Sequence, residues 1–360
     1  LNTPGQPLSI DTVTLDAPAP GEVRVKVAAS GVCHSDYHLM TGDTQHPLPV
    51  ILGHEGAGIV DAIGDGVTGL KPGDHVSLNW APDCGQCFYC LNDQPNLCDT
   101  FTGPIWDGVM LDGSTRVHRG DDDVYLYCGL GTFAEYVNVA AQSCVKIRDD
   151  VPLRVAALIG CAVATGIGAT LYTSPVLPGQ SVAVYGCGGI GLNILQGAAL
   201  SGAHPIIAVD TNAPKLDIAK QFGATHTITA GDDALAQIQA LTGGRGADHV
   251  YEAVGAPAVQ EAALAAVRPG GTLTLVGLAP MGTGTNLPGA LLTRQEKTVK
   301  GSYYGSVQAK RDFPKFLDLY MSGKLKLDAL ISQEYELGQI NEAFARMLSG
   351  EVARGVIIFD

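Results

Sequence analysis

The chain has 360 residues, which at roughly 150 residues per domain implies two domains and excludes a single small module. Asp plus Glu number 36 against 22 Lys plus Arg, and the net charge of −14 repels phosphate backbones and anionic bilayers, so neither nucleic acid nor a membrane surface is expected as a partner. With 46% hydrophobic and 16% charged residues the chain can bury large cores, and its 46 glycines beside an ordinary 20 prolines fit neither collagen nor low-complexity sequence.

Residues 1 to about 150 carry short alternating runs, Val23-Arg24-Val25-Lys26-Val27 and Ala134-Glu135-Tyr136-Val137-Asn138-Val139, separated by Gly and Pro turns. That alternation predicts antiparallel β-structure. The acidic triplet Asp121-Asp122-Asp123 reads as a solvated loop. Between Arg154 and Asp210 there is no Asp, Glu, Lys or Arg. Pro175, Pro178 and a glycine cluster interrupt this stretch, and residues 155–171 are diluted by Thr and Gly, so it reads as buried core and not as a membrane span. The first residues, Leu1-Asn2-Thr3-Pro4-Gly5, have neither the basic nor the apolar region of a secretory signal, and a cytoplasmic location is expected.

From about residue 163 the pattern changes to βαβ: a strand over 181–185, a helix over 190–201, a strand over 206–210 and a helix over 214–222. Apolar strands over 249–254 and 272–276 extend a parallel, doubly wound sheet to about residue 302. The tail predicts helices over 311–321 and 339–348 and a last strand over 355–359. No internal repeat is visible.

Gly186-Cys187-Gly188-Gly189-Ile190-Gly191 follows one of these strands and opens a helix, the context in which Gly-x-Gly-x-x-Gly binds a dinucleotide pyrophosphate at the helix N-terminus. Asp210 ends the next strand, where a carboxylate accepts the hydroxyls of an adenosine ribose and repels a 2′-phosphate, which favours NAD over NADP. Lys215 follows five residues later, either against the same ribose or on a solvated helix face. Cys84, Cys87, Cys90 and Cys98 have a spacing that wraps four thiolates around one zinc ion and leaves no open position, a structural site. Cys33, His54 and Cys161 are two thiolates and an imidazole that would hold zinc with a fourth position free, although each also reads as a packed core residue and spacing alone does not unite them.

Taken together, Gly-Val-Cys-His-Ser-Asp at 31–36, Gly-His-Glu at 53–55, the four-cysteine lobe, Gly160-Cys161 with Thr165-Gly166, and the glycine turn resemble the zinc-containing alcohol dehydrogenases of the medium-chain dehydrogenase/reductase superfamily over essentially the whole chain. The resemblance implies an α/β protein: a GroES-like β-rich catalytic domain from residues 1–162 and 303–360, with the zinc lobe at 84–98, and a Rossmann NAD-binding domain of doubly wound parallel sheet from 163–302, with the active site in the cleft between them. It implies that Cys33, His54 and Cys161 ligate the catalytic zinc, with Glu55 the nearby acid and Asp36 the carboxylate that orients the ligand imidazole. It further implies that Ser35 takes the proton of the alcohol and His38 relays it to solvent. His34, Thr165, Gly186, Gly188, Gly189, Ile190, Gly191, Asp210, Lys215, Val276 and Arg354 fall at coenzyme positions, and Trp80 at the substrate pocket. Cys128, Cys144 and Cys187 match no ligand position and read as packing residues.

The expected activity is NAD-dependent interconversion of an alcohol and its aldehyde or ketone, with two zinc ions per chain and a homodimer or homotetramer as the family's usual assembly. The alternative within the family is a formaldehyde dehydrogenase acting on a thiol adduct. Its glutathione-using members carry an Arg shortly after the fourth structural cysteine, where residues 99–106 here have no Arg or Lys and Thr102 takes the matching place. Leu78-Asn79-Trp80 and Arg311-Asp312-Phe313-Pro314 keep a different bacterial thiol in view. A non-catalytic binding protein or a zinc-free quinone reductase would require broken metal ligands, and none is broken.

Overall fold

A computed structural model describes residues 1–350 and 353–360. The chain divides into two units, one of Leu1–Cys161 with Gln308–Asp360 and the other of Ala162–Val307.

In the first unit the strand Glu22–Gly31 is central: it pairs antiparallel with Glu55–Ile63, Tyr136–Ala140 and Arg354–Ile358. Val23, Val25, Val27 and Ala29 point inward along it while Lys26 is exposed, the period of two that the sequence carries. His75–Leu78 and Cys144–Lys146 extend the sheet on one side, and Ile331–Tyr335 closes the other through the C-terminal strand. A second, four-stranded sheet is built from Thr14–Leu15, Val117–Arg119, Asp122–Leu126 and Val50–Ile51. Here the expected acidic loop is corrected: Asp122 and Asp123 open a strand that pairs with Val117–Arg119, and Asp123 accepts a hydrogen bond from His118 at 3.1 Å. An exposed hairpin strand tolerates those charges because its outward face is in water. The helix Ile340–Ser349 buries Ile340, Ala343, Phe344 and Met347, the i, i+3, i+4, i+7 stripe of a one-sided surface helix, and stops at Gly350 in the left-handed region, φ 73°.

The second unit is a parallel six-stranded sheet in the order His226–Thr229, Ile206–Asp210, Val182–Tyr185, Ala247–Glu252, Val267–Leu275, Thr298–Gly301. Ala183, Ile207, Val209, Val250 and Leu273 form its core together with Ile238 and Leu264 of the covering helices Ala234–Leu241 and Pro257–Ala266. Continuous apolar strands belong in such a doubly covered sheet. One strand ends two residues earlier than expected, at Glu252, because the Glu252 carboxylate accepts the N–H groups of Val254 and Gly255 and turns the chain there.

A helical run, Leu153–Thr173, leads into the charge-free stretch and is long and apolar enough to cross a membrane by length and composition but mostly buried within the protein. Two segments of it, Ile159–Val163 and Ala169–Thr173, are π-helical. The high glycine content has a conformational reason: 26 of the 46 glycines have positive φ, which side-chain-bearing residues rarely adopt.

Candidate active site and metal centres

Cys33 caps the N-terminus of the helix His34–Thr41, with extended backbone at φ −126° and ψ 151°. His54 sits just before the strand Glu55–Ile63, and Cys161 lies in the first π-helical turn of the long helical run. An extra residue per turn re-aims a side chain, and such turns recur at functional sites. These three elements bring Cys33, His54, Glu55 and Cys161, all buried, to one point, with their ligand atoms within 4.8 Å of one another. The three sequence candidates are thus gathered in a single unit. Asp36 is fully buried beneath them; its Oδ1 accepts the Gly53 N–H at 2.8 Å and faces His54 Nδ1 at 3.2 Å. That contact places the proton on Nδ1 and leaves Nε2 as a ligand atom.

The four buried groups act strongly on one another's charge. The hydrogen bond from Cys161 holds the Cys33 thiol well below its usual pKa despite burial, and the same contact, with burial, pushes Cys161 well above. Burial works against protonation of His54, but the Asp36 carboxylate and Cys33 outweigh it and hold the imidazole pKa well above its usual value. Burial raises the Glu55 carboxyl to about 7 against the opposing pull of Arg354, whose guanidinium is paired with it. Glu55 and Arg354 are paired and Cys33 alone is favoured as a thiolate; a divalent ion would hold Cys161 as a thiolate as well, and zinc accepts such a sulfur and nitrogen set with bonds of about 2.0–2.3 Å.

The second cluster has its own geometry. Sulfur separations are 4.0 Å for Cys84–Cys90, 3.5 Å for Cys87–Cys90 and 3.8 Å for Cys87–Cys98, close to the ~3.8 Å edge of a tetrahedron with ~2.3 Å zinc–sulfur bonds. All four are free thiols. Backbone N–H groups of Gln86 and Cys87 point at Cys84 Sγ, at 3.5 and 3.3 Å, and that of Cys84 at Cys98 Sγ, at 3.4 Å. Donors aimed at sulfur favour thiolates. Hydrogen bonds from Thr100 and from the Gln86 backbone lower Cys84 to about 6, whereas burial raises Cys90 to about 12, so one ion is required to hold all four as thiolates. Replacing Cys87 or Cys90 by Ser is expected to melt this lobe and lower the thermal midpoint of the first unit by about 10 °C, since each kcal/mol is worth roughly 2–4 °C in a unit of roughly 200 residues. Calorimetry of the variants checks this, and an unchanged midpoint refutes a structural role.

In the second unit Gly186 takes φ 94°, and a Cβ on it would meet Val254 Cγ2 at 2.7 Å. A Cβ on Gly191 would strike the Gly186 carbonyl, whereas Gly188 faces open space, room for a pyrophosphate to approach the backbone. Gly189 opens the helix Gly189–Leu200, followed by Ile190. Asp210, at the end of the neighbouring strand, accepts the N–H of Cys187 at 2.7 Å and of Asn212 at 2.9 Å, so one carboxylate braces the glycine turn and the turn after its own strand.

Comparison with known proteins agrees with both halves. Residues 19–149 match the alcohol dehydrogenase GroES-like domain and residues 189–322 the zinc-binding dehydrogenase domain. The chain belongs to the zinc-containing alcohol dehydrogenases of the medium-chain dehydrogenase/reductase superfamily. It is 43% identical to an NDMA-dependent alcohol dehydrogenase of Amycolatopsis methanolica, covering 99% of this chain and 97% of that one. It is 40% identical to an S-(hydroxymethyl)glutathione dehydrogenase of Photobacterium damsela subsp. piscicida, covering 98% and 97%. Among solved structures, benzyl alcohol dehydrogenase of Acinetobacter calcoaceticus superposes with a TM-score of 0.92 at 33% identity, over 97% of this chain and 94% of that one. Within this family of oxidoreductases, the β-rich unit is the GroES-like domain and the parallel sheet the Rossmann-type domain.

The remaining expected site residues of this alcohol dehydrogenase are placed as follows. Ser35 Oγ lies 3.7 Å from Cys33 Sγ; His38, one helical turn on, faces Asp43 at 3.5 Å. His34 is exposed at the first helical position. Thr165 is buried in the long helical run, Lys215 is half-buried in the first turn of the helix Ala213–Gln221, and the Val276 N–H donates to the Glu252 carbonyl at 2.8 Å. Arg354, expected near the coenzyme, is buried in the first unit against Glu55. Trp80 is buried 6.4 Å from Trp106 between ring centroids. Cys128, Cys144 and Cys187 are all buried, and burial pushes each thiol up to about 12, which suits packing and not chemistry.

Sequence reasoning missed Tyr127. Its buried ring stands edge-on to His54, centroids 5.4 Å apart, touches Trp106 at 6.3 Å, and its hydroxyl donates to the Ser35 carbonyl at 3.3 Å. Trp106, on the helix Asp99–Asp107, was missed with it. No local pattern marks either residue; only the turn residues Gly129 and Gly131 hint that the chain folds back beside Tyr127.

Proposed function

We propose that the enzyme oxidises an alcohol reversibly to its aldehyde or ketone with NAD as hydride acceptor, and that each chain holds two zinc ions, one on Cys33, His54 and Cys161 and one on Cys84, Cys87, Cys90 and Cys98. The observation that carries this reading is the buried Cys33, His54 and Cys161 cluster with Asp36 on its imidazole, a donor set that leaves a position open to substrate. Zinc, when bound, polarises the substrate oxygen and lowers its pKa, and the nicotinamide takes up hydride. Asp36 holds His54 in the ligating tautomer. Ser35 accepts the proton of the substrate hydroxyl, and His38 passes it to solvent. Asp210 accepts the adenosine ribose hydroxyls, with Lys215 beside them, the glycine turn seats the pyrophosphate, and His34, Thr165, Val276 and Arg354 complete the coenzyme positions.

Trp80, Trp106 and Tyr127 supply an aromatic wall in the same unit as the metal cluster, which suits alcohols with a flat or apolar body. A second reading, oxidation of an S-hydroxymethyl thiol, is supported by the similarity to the Photobacterium enzyme. For glutathione itself the helix Asp99–Asp107 offers no cation, and Thr102 Oγ1 is turned back onto the Cys98 carbonyl at 2.8 Å. A panel of aliphatic, benzylic and secondary alcohols, and formaldehyde with and without thiols, tests both. Because the Amycolatopsis relative is named NDMA-dependent, each arm is run with and without that compound. NAD reduction by an alcohol without thiol supports the first reading; activity only with formaldehyde plus a thiol supports the second.

Asp210→Gly is expected to narrow the preference for NAD over NADP, measured as the ratio of kcat/KM values, by about tenfold or more, because a like-charge contact with the 2′-phosphate is removed. Equal use of both coenzymes by the native enzyme refutes the assignment of Asp210.

A further inference from the structure

The run Gly53-His54-Glu55-Gly56 places two members of the buried Cys33, His54, Glu55 and Cys161 cluster between two glycines. Gly53 takes φ 91°, and at both glycines one side chain occupies the space a Cβ would need. A Cβ on Gly53 would lie 2.6 Å from Thr132 Oγ1, and one on Gly56 would lie 2.6 Å from Thr132 Cγ2. Thr132 belongs to the segment that leads into the strand Tyr136–Ala140 and is fully buried. One branch of its side chain therefore stands over the residue before His54, and the other over the residue after Glu55.

The backbone is held at the same point. The Thr132 N–H donates to the Gly53 carbonyl at 2.9 Å, and the Gly53 N–H donates to Asp36 Oδ1 at 2.8 Å, the oxygen that also faces His54 Nδ1. Ser30, fully buried on the central strand directly opposite Gly56, has its hydroxyl 2.6 Å from Thr132 Oγ1. A β-branched side chain has few χ1 wells, and this hydrogen bond selects the one that turns the hydroxyl toward Gly53 and the methyl toward Gly56. The smaller branch thus meets the tighter approach, since the Phe133 backbone nitrogen also stands 2.7 Å from the Cβ position of Gly53.

We propose that Thr132, with its rotamer set by Ser30, is a positioning residue for His54: it wedges between Gly53 and Gly56 and fixes the backbone from which the imidazole is aimed at the metal. This rests on the two-zinc reading given above.

Cobalt(II) loaded in place of zinc reports coordination geometry through its ligand-field absorption. Subtracting the spectrum of Cys161→Ser, which keeps the four-cysteine site, isolates the bands of the other site. Thr132→Val puts a methyl where the hydroxyl was and takes that partner from the Ser30 hydroxyl. It is expected to alter those bands and to raise that site's zinc Kd, read by chelator competition, about tenfold or more, while the four-cysteine site stays within about threefold of native. Thr132→Ser, which keeps the hydroxyl, should retain the native bands. If Thr132→Val does not fold, Ser30→Ala, which frees the Thr132 rotamer, should reproduce the selective change. Native bands and native zinc affinity in the Val variant, or in the Ala variant that stands in for it, overturn the proposal. Equal weakening of both sites also overturns it, as a general loss of structure, and so does a Ser variant as impaired as the Val variant. Uptake of only one metal ion by the native chain instead overturns the zinc reading on which the proposal rests.

Discussion

Cys161→Ser is expected to lower kcat/KM for alcohol oxidation by at least about 10³-fold, and on the two-zinc reading proposed above metal analysis should find one zinc per chain in the variant and two in the native protein. The size follows from the several kcal/mol that a Lewis acid contributes to a developing charge, at 1.36 kcal/mol per tenfold in rate. Removing one of the three proposed ligands also leaves Cys33 and His54 buried around a weakened site. Folding should suffer less than turnover, because the four-cysteine lobe is built from a separate segment with its own donors. Metal analysis, thermal unfolding and kinetics on one preparation decide the matter. Two zinc ions in a variant with more than a tenth of native activity would remove Cys161 from the ligand set.

Ser35→Ala is expected to lower alcohol oxidation by about 10²–10⁴-fold while metal content and NADH binding stay native, the range of a positioned proton-transfer group. Hydride leaves the alcohol carbon readily only when the oxygen carries negative charge, so a route for the hydroxyl proton is needed at the reacting atom. Ser35 Oγ lies 3.7 Å from Cys33 Sγ, and the Tyr127 hydroxyl pins its backbone carbonyl. A hydroxyl passes a proton on without accumulating charge. His38 lies one turn farther along the same helix and is a quarter exposed, within reach of water. His38→Gln should therefore lose less, about 10²-fold, chiefly at low pH where solvent base is scarce. Amine buffers should restore part of the His38→Gln rate and little of the Ser35→Ala rate. Near-native oxidation by Ser35→Ala across the pH range, with coenzyme binding intact, rules out the relay.

What was legible in the sequence is what local physics encodes. Strand alternation from Val23 to Val27, the glycine turn at 186–191, the acid at Asp210 and the four cysteines of one short segment each depend on residues close in the chain, where dihedral limits, periodicity and ligand spacing act directly. Strand ends were less legible, because a side chain such as Glu252 can cap amides beyond the strand and stop it early. The buried Cys33, His54 and Cys161 cluster required the fold itself. Cys33, His54 and Cys161 come from a helix cap, a strand entrance and a π-helical turn, and nothing in their own neighbourhoods distinguishes a ligand from a buried core residue. Arg354 pairs with Glu55 across 299 residues, and Tyr127 reaches Ser35 across 92. Such contacts exist only after the central sheet of the first unit has aligned Glu22–Gly31 with Glu55–Ile63 and Arg354–Ile358, because the close approach of a buried charge to its partner is set by strand register and packing and not by any preference of the residues alone.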